Sequence, residues 1–248
     1  MDIAEELRQA LSSESIDVLG IPVTSSLLSA FIIVFAVGVI CLVLRFVFLR
    51  EYSATPRGVR LILEKAVGFF DNIAKGAVHS YTKYVGPVIF GVGLYIFCGT
   101  FIEVFGFKPI FADLNSGLAV GTVGFFVIQI LGLKKKGVKG RLDAQFRSEK
   151  GIWGPVIGLI KTVSDCILPF SMALRLYGSI LSGMLIVDLL YIIIQSFLTS
   201  AVSIAAWALP LSLVAGGVVG IGLTLFHAAI QAYVFATLVS LFTAESIE

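Results

Sequence analysis

Residues 166–198 read CILPFSMALRLYGSILSGMLIVDLLYIIIQSFL, and in these thirty-three positions only Arg175 and Asp188 are charged. The stretch exceeds the roughly 20 apolar residues that a helix needs to cross a bilayer, so it predicts a membrane-spanning helix. An arginine in such a helix is costly on insertion scales, and guanidinium does not deprotonate in proteins. Arginines near helix ends can reach the headgroups, but Arg175 lies nine residues inside the stretch. We therefore expect that compensating this charge is part of the function.

The composition places the whole chain in the membrane class. Its 248 residues are 58% hydrophobic and only 14% charged, with a mean hydropathy of +1.00, whereas soluble domains are nearer a quarter charged. The sequence predicts an all-α integral membrane protein with five or six membrane helices in a single domain. The three cysteines all fall in apolar runs without metal or redox spacing, and we expect neither a metal ion nor another cofactor.

Hydropathy divides the chain into successive segments. We expect an external tail over 1–26, span 1 over 27–44, an amphipathic surface helix over 56–80, span 2 over 84–105, span 3 over 116–133, a basic cytoplasmic loop over 134–152, an interrupted re-entrant segment with a tilted helix over 154–198, and a last tilted helix over 210–243. From Asp165 to Gln195 a helix spans about 45 Å, against a hydrocarbon core of roughly 30 Å. The last two helices are therefore predicted to form a long, strongly tilted antiparallel hairpin.

Basic residues are concentrated in two segments. Seven of the 18 lie between Arg45 and Lys83, and seven more lie between Lys134 and Lys150, so the positive-inside rule makes both segments cytoplasmic. Nucleic-acid binding also accounts for basic clusters, but membrane spans flank these, so topology is the simpler explanation and no nucleic-acid partner is expected. The first 20 residues are acidic, so we expect no cleavable signal peptide.

Polar residues around Arg175 form a second pattern. Helical spacing puts Ser179 and Ser182 within about 40° of Arg175, although ordinary helix packing explains small residues there equally well. Asp165 and Asp188 lie about 15 Å and 20 Å from the arginine, in opposite directions along the helix. A carboxylate towards each end and a fixed cation between them suit two offset polar pathways separated by a barrier, while either acid also fits an interfacial carboxylate.

The last helix carries two further candidates, His227 and Gln231, which share a face at i and i+4. His227 is either a proton relay, because imidazole titrates near neutrality, or a hydrogen-bonded packing residue. Gln231 is a suitable neutral partner for a buried guanidinium. The sequence contains no nucleotide-binding P-loop, no His/Glu metal motif and no nucleophile elbow. No internal repeat is visible, which disfavours the inverted-repeat transporter architecture.

Two motifs resemble subunit a of the F-type rotary ATP synthase, and the similarity extends over nearly the whole chain. They are Pro169-x5-Arg175-Leu176-Tyr177-Gly178-Ser179 and Ile230-Gln231-Ala232-Tyr233-Val234-Phe235-Ala236-Thr237-Leu238, with further matches at Ala112-Asp113-Leu114-Asn115, at Pro56-x-Gly58 leading to Glu64, and at Lys136-Gly137-Val138-Lys139-Gly140. The resemblance implies a stator subunit that translocates protons, or sodium ions, through two half-channels against a ring of c subunits. It also implies b-type peripheral stalk subunits as partners, and no nucleotide binding by this subunit itself.

The resemblance also implies roles for individual residues. Arg175 takes the role of the essential arginine, Gln231 that of its partner on the neighbouring helix, and Ser179 stands where the family usually has asparagine. The usual half-channel residues are replaced here by Met184, Thr224 and Lys161, and each is followed within about one turn by a titratable residue: Asp188, His227 and Asp165, respectively. We expect these three, together with Ser182 and Thr224, to line the ion path.

Two other functions fit the same residues. The chain could be a self-contained channel or secondary transporter in which Arg175 binds an anion, or a membrane scaffold without a transport role. A subunit of a rotary complex requires a partner with a mid-membrane carboxylate, whereas a transporter works alone. The absence of a transit sequence and the intact cytoplasmic loops favour a multi-pass protein of a bacterial plasma membrane over a mitochondrial or plastid one.

Overall fold

The computed structural model describes residues 15–18, 21–48, 58–77, 82–147, 154–201 and 205–247. Two short antiparallel strands, β1 (Ser15–Val18) and β2 (Ile21–Thr24), form a hairpin in the expected tail, where Ser15 pairs with Thr24. Six α-helices follow within the described ranges: α1 (Ser25–Val43), α2 (Val59–Ala77), α3 (Thr82–Phe101), α4 (Leu114–Arg147), α5 (Gly154–Ala201) and α6 (Ala205–Ile247). The predicted all-α architecture is confirmed for the membrane helices, and the hairpin is an addition to it.

Five segments within the described residues are long and apolar enough to cross a membrane. They are Ser25–Phe46, Val85–Phe105, Leu114–Gly137, Gly158–Ile194 and Gly216–Ile247. The remaining helix, α2, alternates apolar and charged residues with helical periodicity and packs against α3 and α6. Ala74 of α2 is completely buried, while Glu64 and Lys65 are exposed, so this helix has one face on the protein and one face outside, as its amphipathic pattern predicts.

Helix α4 runs further than the predicted third span. It begins after Asp113, whose backbone carbonyl accepts hydrogen bonds from the N–H groups of Ser116 and Gly117. At Gly137 the backbone leaves the helical region (φ 68°, ψ 168°), a conformation that glycine adopts without the strain that a Cβ would add. The chain is helical again as far as Arg147, so much of the segment expected as a basic loop is helix in the structure.

Helices α5 and α6 contain 48 and 43 residues, which corresponds to about 72 Å and 65 Å. The interruption expected within 154–198 is wrong, because α5 is continuous from Gly154 to Ala201 and contains Pro169. Pro155 lies in the first helical turn, where no N–H partner is lost, and Pro169 removes only the hydrogen bond to the Asp165 carbonyl. Both helices exceed the hydrocarbon thickness, a mismatch that membrane helices commonly accommodate by tilting.

Contacts between α5 and α6 define an antiparallel pair. An added Cβ on Gly220 would lie 3.7 Å from Val187, one on Gly183 would lie 3.6 Å from the His227 ring, and Lys161 contacts Glu245. The residue number on α6 thus falls as the number on α5 rises. The predicted antiparallel hairpin of the last two helices is confirmed, and this pairing brings α6 residues near 232 to the level of Arg175.

Helix α5 packs most extensively on α4, and two glycines one turn apart make this approach close. An added Cβ on Gly117 would lie 3.0 Å from the carbonyl oxygen of Ala173, and one on Gly121 only 2.5 Å from that of Pro169. Small residues at this spacing let two membrane helices approach until their backbones touch. The contact fixes the segment of α5 that carries Arg175.

Candidate functional site

A cleft of about 500 Å³ lies between the first half of α5 and the last turns of α6. We call it the arginine cleft; its polar lining consists of Lys161, Ser164, Asp165, Ser171, Arg175 and Glu245, with apolar side chains such as Met172 and Phe242 between them. The Lys161 Nζ and Glu245 Oε1 atoms are 3.3 Å apart, and both side chains are about half exposed. Arg175 is the lining residue of α5 furthest from these two, at the opposite end of the cleft.

Arg175 itself is exposed on the outer face of α5. In the part of the chain that the structure describes, Arg175 forms no ion pair. Ser171, Gly178, Ser182 and Ile186 are also exposed and lie along the same side of the helix. Together with Arg175 they form the outer stripe of α5, a narrow surface of mostly small residues around one fixed positive charge.

The two serines near Arg175 bond to their own helix. The Ser179 hydroxyl donates to the Leu176 carbonyl at 3.0 Å, and the Ser182 hydroxyl donates to the Ser179 carbonyl at 2.8 Å. Such bonds satisfy a hydroxyl without another partner and often bend a helix slightly. The structure thus places both predicted serines beside Arg175 without using them to hold the guanidinium.

A second cavity, of about 190 Å³, lies further along the same two helices. We call it the histidine cavity; it is lined by Glu103, Ile180, Gly183, Val187, Thr224 and His227, with further apolar side chains. Glu103 belongs to the 3-10 turn Ile102–Phe105 that continues α3. The His227 Nε2 atom is buried and has no hydrogen-bond partner among the described residues. Thr224, a predicted path residue, is buried in the same cavity wall.

The two cavities are separate, and packed side chains lie between them. On α5 the arginine cleft ends at Arg175 and the histidine cavity begins at Ile180, about 7.5 Å along the helix. On α6 the corresponding limits are Leu238 and His227, about 16 Å apart. Leu176, Ile180, Ala232 and Phe235 in this region are buried. Gln231 lies here too, only 5% exposed and at the level of Arg175.

The two predicted aspartates differ in their surroundings. Asp165 lines the arginine cleft together with Arg175. Asp188 is exposed and does not line the histidine cavity, but it follows directly after the lining residue Val187. It also lies close enough to Glu103 for the two carboxylates to interact electrostatically.

Sequence reasoning missed Glu103 and Glu245 as site residues. Glu103 is the only charged residue between Lys83 and Lys108, so the argument applied to Arg175, a lone charge in an apolar run, could have identified it. Glu245 carries no such signal, because its role depends on the packing of the end of α6 against Lys161. No group of three His, Cys, Asp or Glu side chains within the described ranges is placed to hold a metal ion.

Comparison with known proteins assigns this arrangement to a family. The family model described as ATP synthase A chain matches residues 30–244, a range that begins within α1 and ends in the last turns of α6. The chain belongs to this family. Its members form part of the membrane sector of ATP-synthesising complexes, and with five apolar helices among the described residues alone the chain is a multi-pass membrane protein. Ion transport and ATP synthesis follow from the family.

Individual relatives in the family are similar at modest identity. The ATP synthase subunit a of Moorella thermoacetica is 24% identical over 185 residues, covering 73% of this chain and 80% of the relative. That of Nitratiruptor sp. is 24% identical over 200 residues, covering 80% of each chain. That of Sulfurihydrogenibium sp. is 26% identical over 141 residues, covering 56% of this chain and 67% of the relative.

Proposed function

We propose that this subunit translocates protons, or sodium ions, through two half-channels, and that Arg175 is the fixed cation between them. The observation that carries the proposal is the pair of separate cavities on α5 and α6, with Arg175 at the inner end of one and packed residues between them. An ion that enters one cavity cannot reach the other through the subunit alone. Transfer between the cavities then requires a carrier that moves past Arg175.

The distribution of charge supports opposite openings for the two half-channels. The arginine cleft includes Lys161, which follows the basic segment between Lys134 and Lys150, and this segment is cytoplasmic by the positive-inside rule. Helix α5 leads from there to the other side of the membrane. The arginine cleft is therefore the cytoplasmic half-channel and the histidine cavity is the external one.

The outer stripe of α5 supports a ring of c subunits as the moving carrier. Its small residues leave room for a neighbouring helix, and an added Cβ on Gly178 would meet no atom within 4 Å. A rotor carboxylate that arrives opposite Arg175 is favoured in its ionised form, because a nearby opposite charge stabilises it. It can then cross an apolar region that otherwise excludes the charge. The guanidinium remains protonated throughout, so the ion cannot pass without rotation.

The other site residues have different roles in this proposal, according to their positions relative to Arg175. Asp165 and Ser182 lie on the cytoplasmic and rotor-facing sides of Arg175, while Thr224 and His227 line the external half-channel and Asp188 lies at its mouth. Gln231 and Ser179 occupy the level of Arg175 and shape the barrier. We further propose that b-type peripheral stalk subunits hold the chain against rotation, and that the complex lies in a bacterial plasma membrane.

The test is Arg175→Ala in the complete synthase, reconstituted or in inverted vesicles. ATP-driven ion uptake should be abolished, while ATP hydrolysis by the soluble sector remains measurable. Arg60→Ala on α2, at a residue that lines neither cavity, is the matched control and should pump normally. Pumping at the wild-type rate by Arg175→Ala would exclude the proposed role of the arginine.

A second experiment distinguishes the proposed function from that of a self-contained channel or secondary transporter. Ion flux through vesicles that contain this chain without c subunits would favour that alternative. The proposed function requires no flux under those conditions, because transfer between the two cavities needs the moving carrier.

A further inference from the structure

The connection between α3 and α4 reaches the surface and then returns into the core of the protein. Phe105 and Phe107 are exposed just after α3. The chain then forms a single 3-10 turn, Ile110–Ala112, which we call the buried turn. The side chains of Ile110 and Phe111 in this turn are completely buried. Connections between helices normally run over the surface, so the burial of this turn indicates a specific packing role.

The buried turn packs against four helices at once, namely α1, α3, α4 and α5. On α3 it lies against Gly99, where an added Cβ would be 2.9 Å from the Cδ1 atom of Ile110. The ring of Phe111 meets the ring of Tyr95 edge to face, with the two ring centroids 6.0 Å apart. The turn therefore fills the space between these helices without leaving room for another group.

The buried turn lies at the level of the barrier between the two cavities. Helix α4 runs antiparallel to α5, and its residue Gly117 closely approaches Ala173. Because the turn precedes α4 in the chain, it meets α5 beyond Ala173, towards the histidine cavity. The next buried residues of α5 in that direction are Leu176 and Ile180, and they belong to the same apolar core as the turn. The turn thus covers the segment of α5 that separates the arginine cleft from the histidine cavity.

Arg175 can guard only one side of this barrier. Its side chain is exposed on the outer face of α5, whereas Leu176 and Ile180 are buried on the inner face and only 1% exposed. The two cavities are about 7.5 Å apart along α5, a distance that a chain of about three hydrogen-bonded water molecules bridges. Such a chain on the inner face would let protons pass without the moving carrier. The proposed function therefore requires that the inner face stays dry.

We propose that the buried turn is the seal on the inner face of the barrier, and that Ile110 and Phe111 keep water out of the path behind Arg175. The inference rests on the proposed function and extends it to a segment outside α5 and α6. The turn lines neither cavity. Its contribution is to prevent a connection between the cavities, so that ion flow stays coupled to movement of the carrier.

Two hydroxyl groups near the turn are bonded within their own helices. The buried Thr100 hydroxyl donates to the Ile96 carbonyl at 3.0 Å, and the Ser179 hydroxyl donates to the Leu176 carbonyl at 3.0 Å. Water occupies a buried space only where it has room and several polar partners. The aliphatic side chain of Ile110 supplies no polar partner and leaves no room. A smaller, polar side chain at this position would supply both.

The test replaces Ile110 by serine in the complete synthase, reconstituted in vesicles. A proton gradient is imposed, and a carbodiimide that modifies the carboxylates of the c subunits stops the carrier. The remaining proton flux is followed with a pH-sensitive dye. Ile110→Ser should gain a carbodiimide-resistant flux above that of protein-free vesicles, whereas the parent synthase should remain at that level.

Ile89→Ser on α3 is the matched control for loss of packing. Ile89 is only 1% exposed, but it lies ten residues before Gly99, about 15 Å along the helix, and it lines neither cavity. This variant should remain as tight as the parent. Equal leaks in Ile89→Ser and Ile110→Ser would overturn the proposal, because loss of packing alone would then explain the flux.

A second pair of variants covers the case in which Ile110→Ser does not assemble. Valine and threonine have nearly the same shape and differ by a hydroxyl group, so Ile110→Thr should leak and Ile110→Val should not. Equal flux in these two variants, or an Ile110→Ser synthase as tight as the parent, would overturn the seal. Loss of pumping in Arg175→Ala alongside a tight Ile110→Ser synthase would reject the seal and leave the proposed function standing.

Discussion

Replacing Gly121 by alanine tests how α5 is positioned. The added Cβ would lie 2.5 Å from the Pro169 carbonyl oxygen and 3.3 Å from the Ala173 nitrogen. Both atoms belong to the backbone, so no side-chain rotation relieves the contact. Moving from 2.5 Å to the 3.4 Å at which ordinary contact begins requires α5 to retreat from α4 by about 0.9 Å. Arg175 follows Pro169 by six residues, about 9 Å along the helix, and should move with it.

The expected cost is about 1–3 kcal/mol in the free energy of unfolding, which is typical of overpacking a tightly packed site. Alanine also favours helix over glycine by up to about 1 kcal/mol, and this gain must be separated from the collision. Gly91→Ala on α3 provides the control, because a Cβ there meets no atom within 4 Å. The difference between the two variants therefore measures the collision alone.

The assay is reversible unfolding of the purified chain in mixed detergent micelles, followed by circular dichroism, for both variants and the parent chain. Gly121→Ala should unfold at a lower denaturing-detergent fraction than Gly91→Ala. A synthase that contains the Gly121→Ala subunit should also pump more slowly, because a displacement of nearly 1 Å at a reacting group lowers the reaction rate strongly. Equal stability of the two variants would refute the close approach of α4 and α5 at Pro169.

Two further predictions concern the charged groups of the cavities. Asp188→Asn should slow ATP-driven pumping more than Met184→Ala, because only the aspartate offers an ionisable group at the mouth of the histidine cavity; equal and near-normal rates would remove Asp188 from the path. Lys161→Gln should change the free energy of unfolding by less than about 1 kcal/mol, because half-exposed ion pairs contribute little. If the free energy of unfolding in detergent falls by much more than this, the ion pair between Lys161 and Glu245 contributes substantially to the packing of α5 on α6.

The membrane helices could be predicted because each follows from a local property of the sequence. Apolar runs of sufficient length identify the five spans, and the mixed pattern from Val59 to Ala77 identifies the amphipathic helix. Arg175 stood out for the same reason, as a lone charge in an apolar run. The interruption before Asp165 was wrong because a proline does not by itself end a membrane helix. Pro155 falls in the first turn of α5, and α5 continues through Pro169.

The composition of the cavities could not be predicted, because it depends on which helices pack together. Glu103 and His227 line the same cavity only because the end of α3 packs beside α6. The sequence predicted Gln231 as a partner for a buried guanidinium, but it could not show that Gln231 is buried while Arg175 is exposed. Helical periodicity gives the face of one helix. It does not say which other element covers that face.

The separation of the two half-channels is tested most directly by labelling single cysteines from each side of the membrane. Thr224→Cys in the histidine cavity and Ser164→Cys in the arginine cleft are introduced after Cys41, Cys98 and Cys166 are replaced by serine. A small impermeant methanethiosulfonate reagent is then applied to right-side-out and to inverted vesicles. Thr224→Cys should react only from the external side and Ser164→Cys only from the cytoplasmic side. Reaction of both from one side, or of either from both, would contradict two half-channels separated at Arg175.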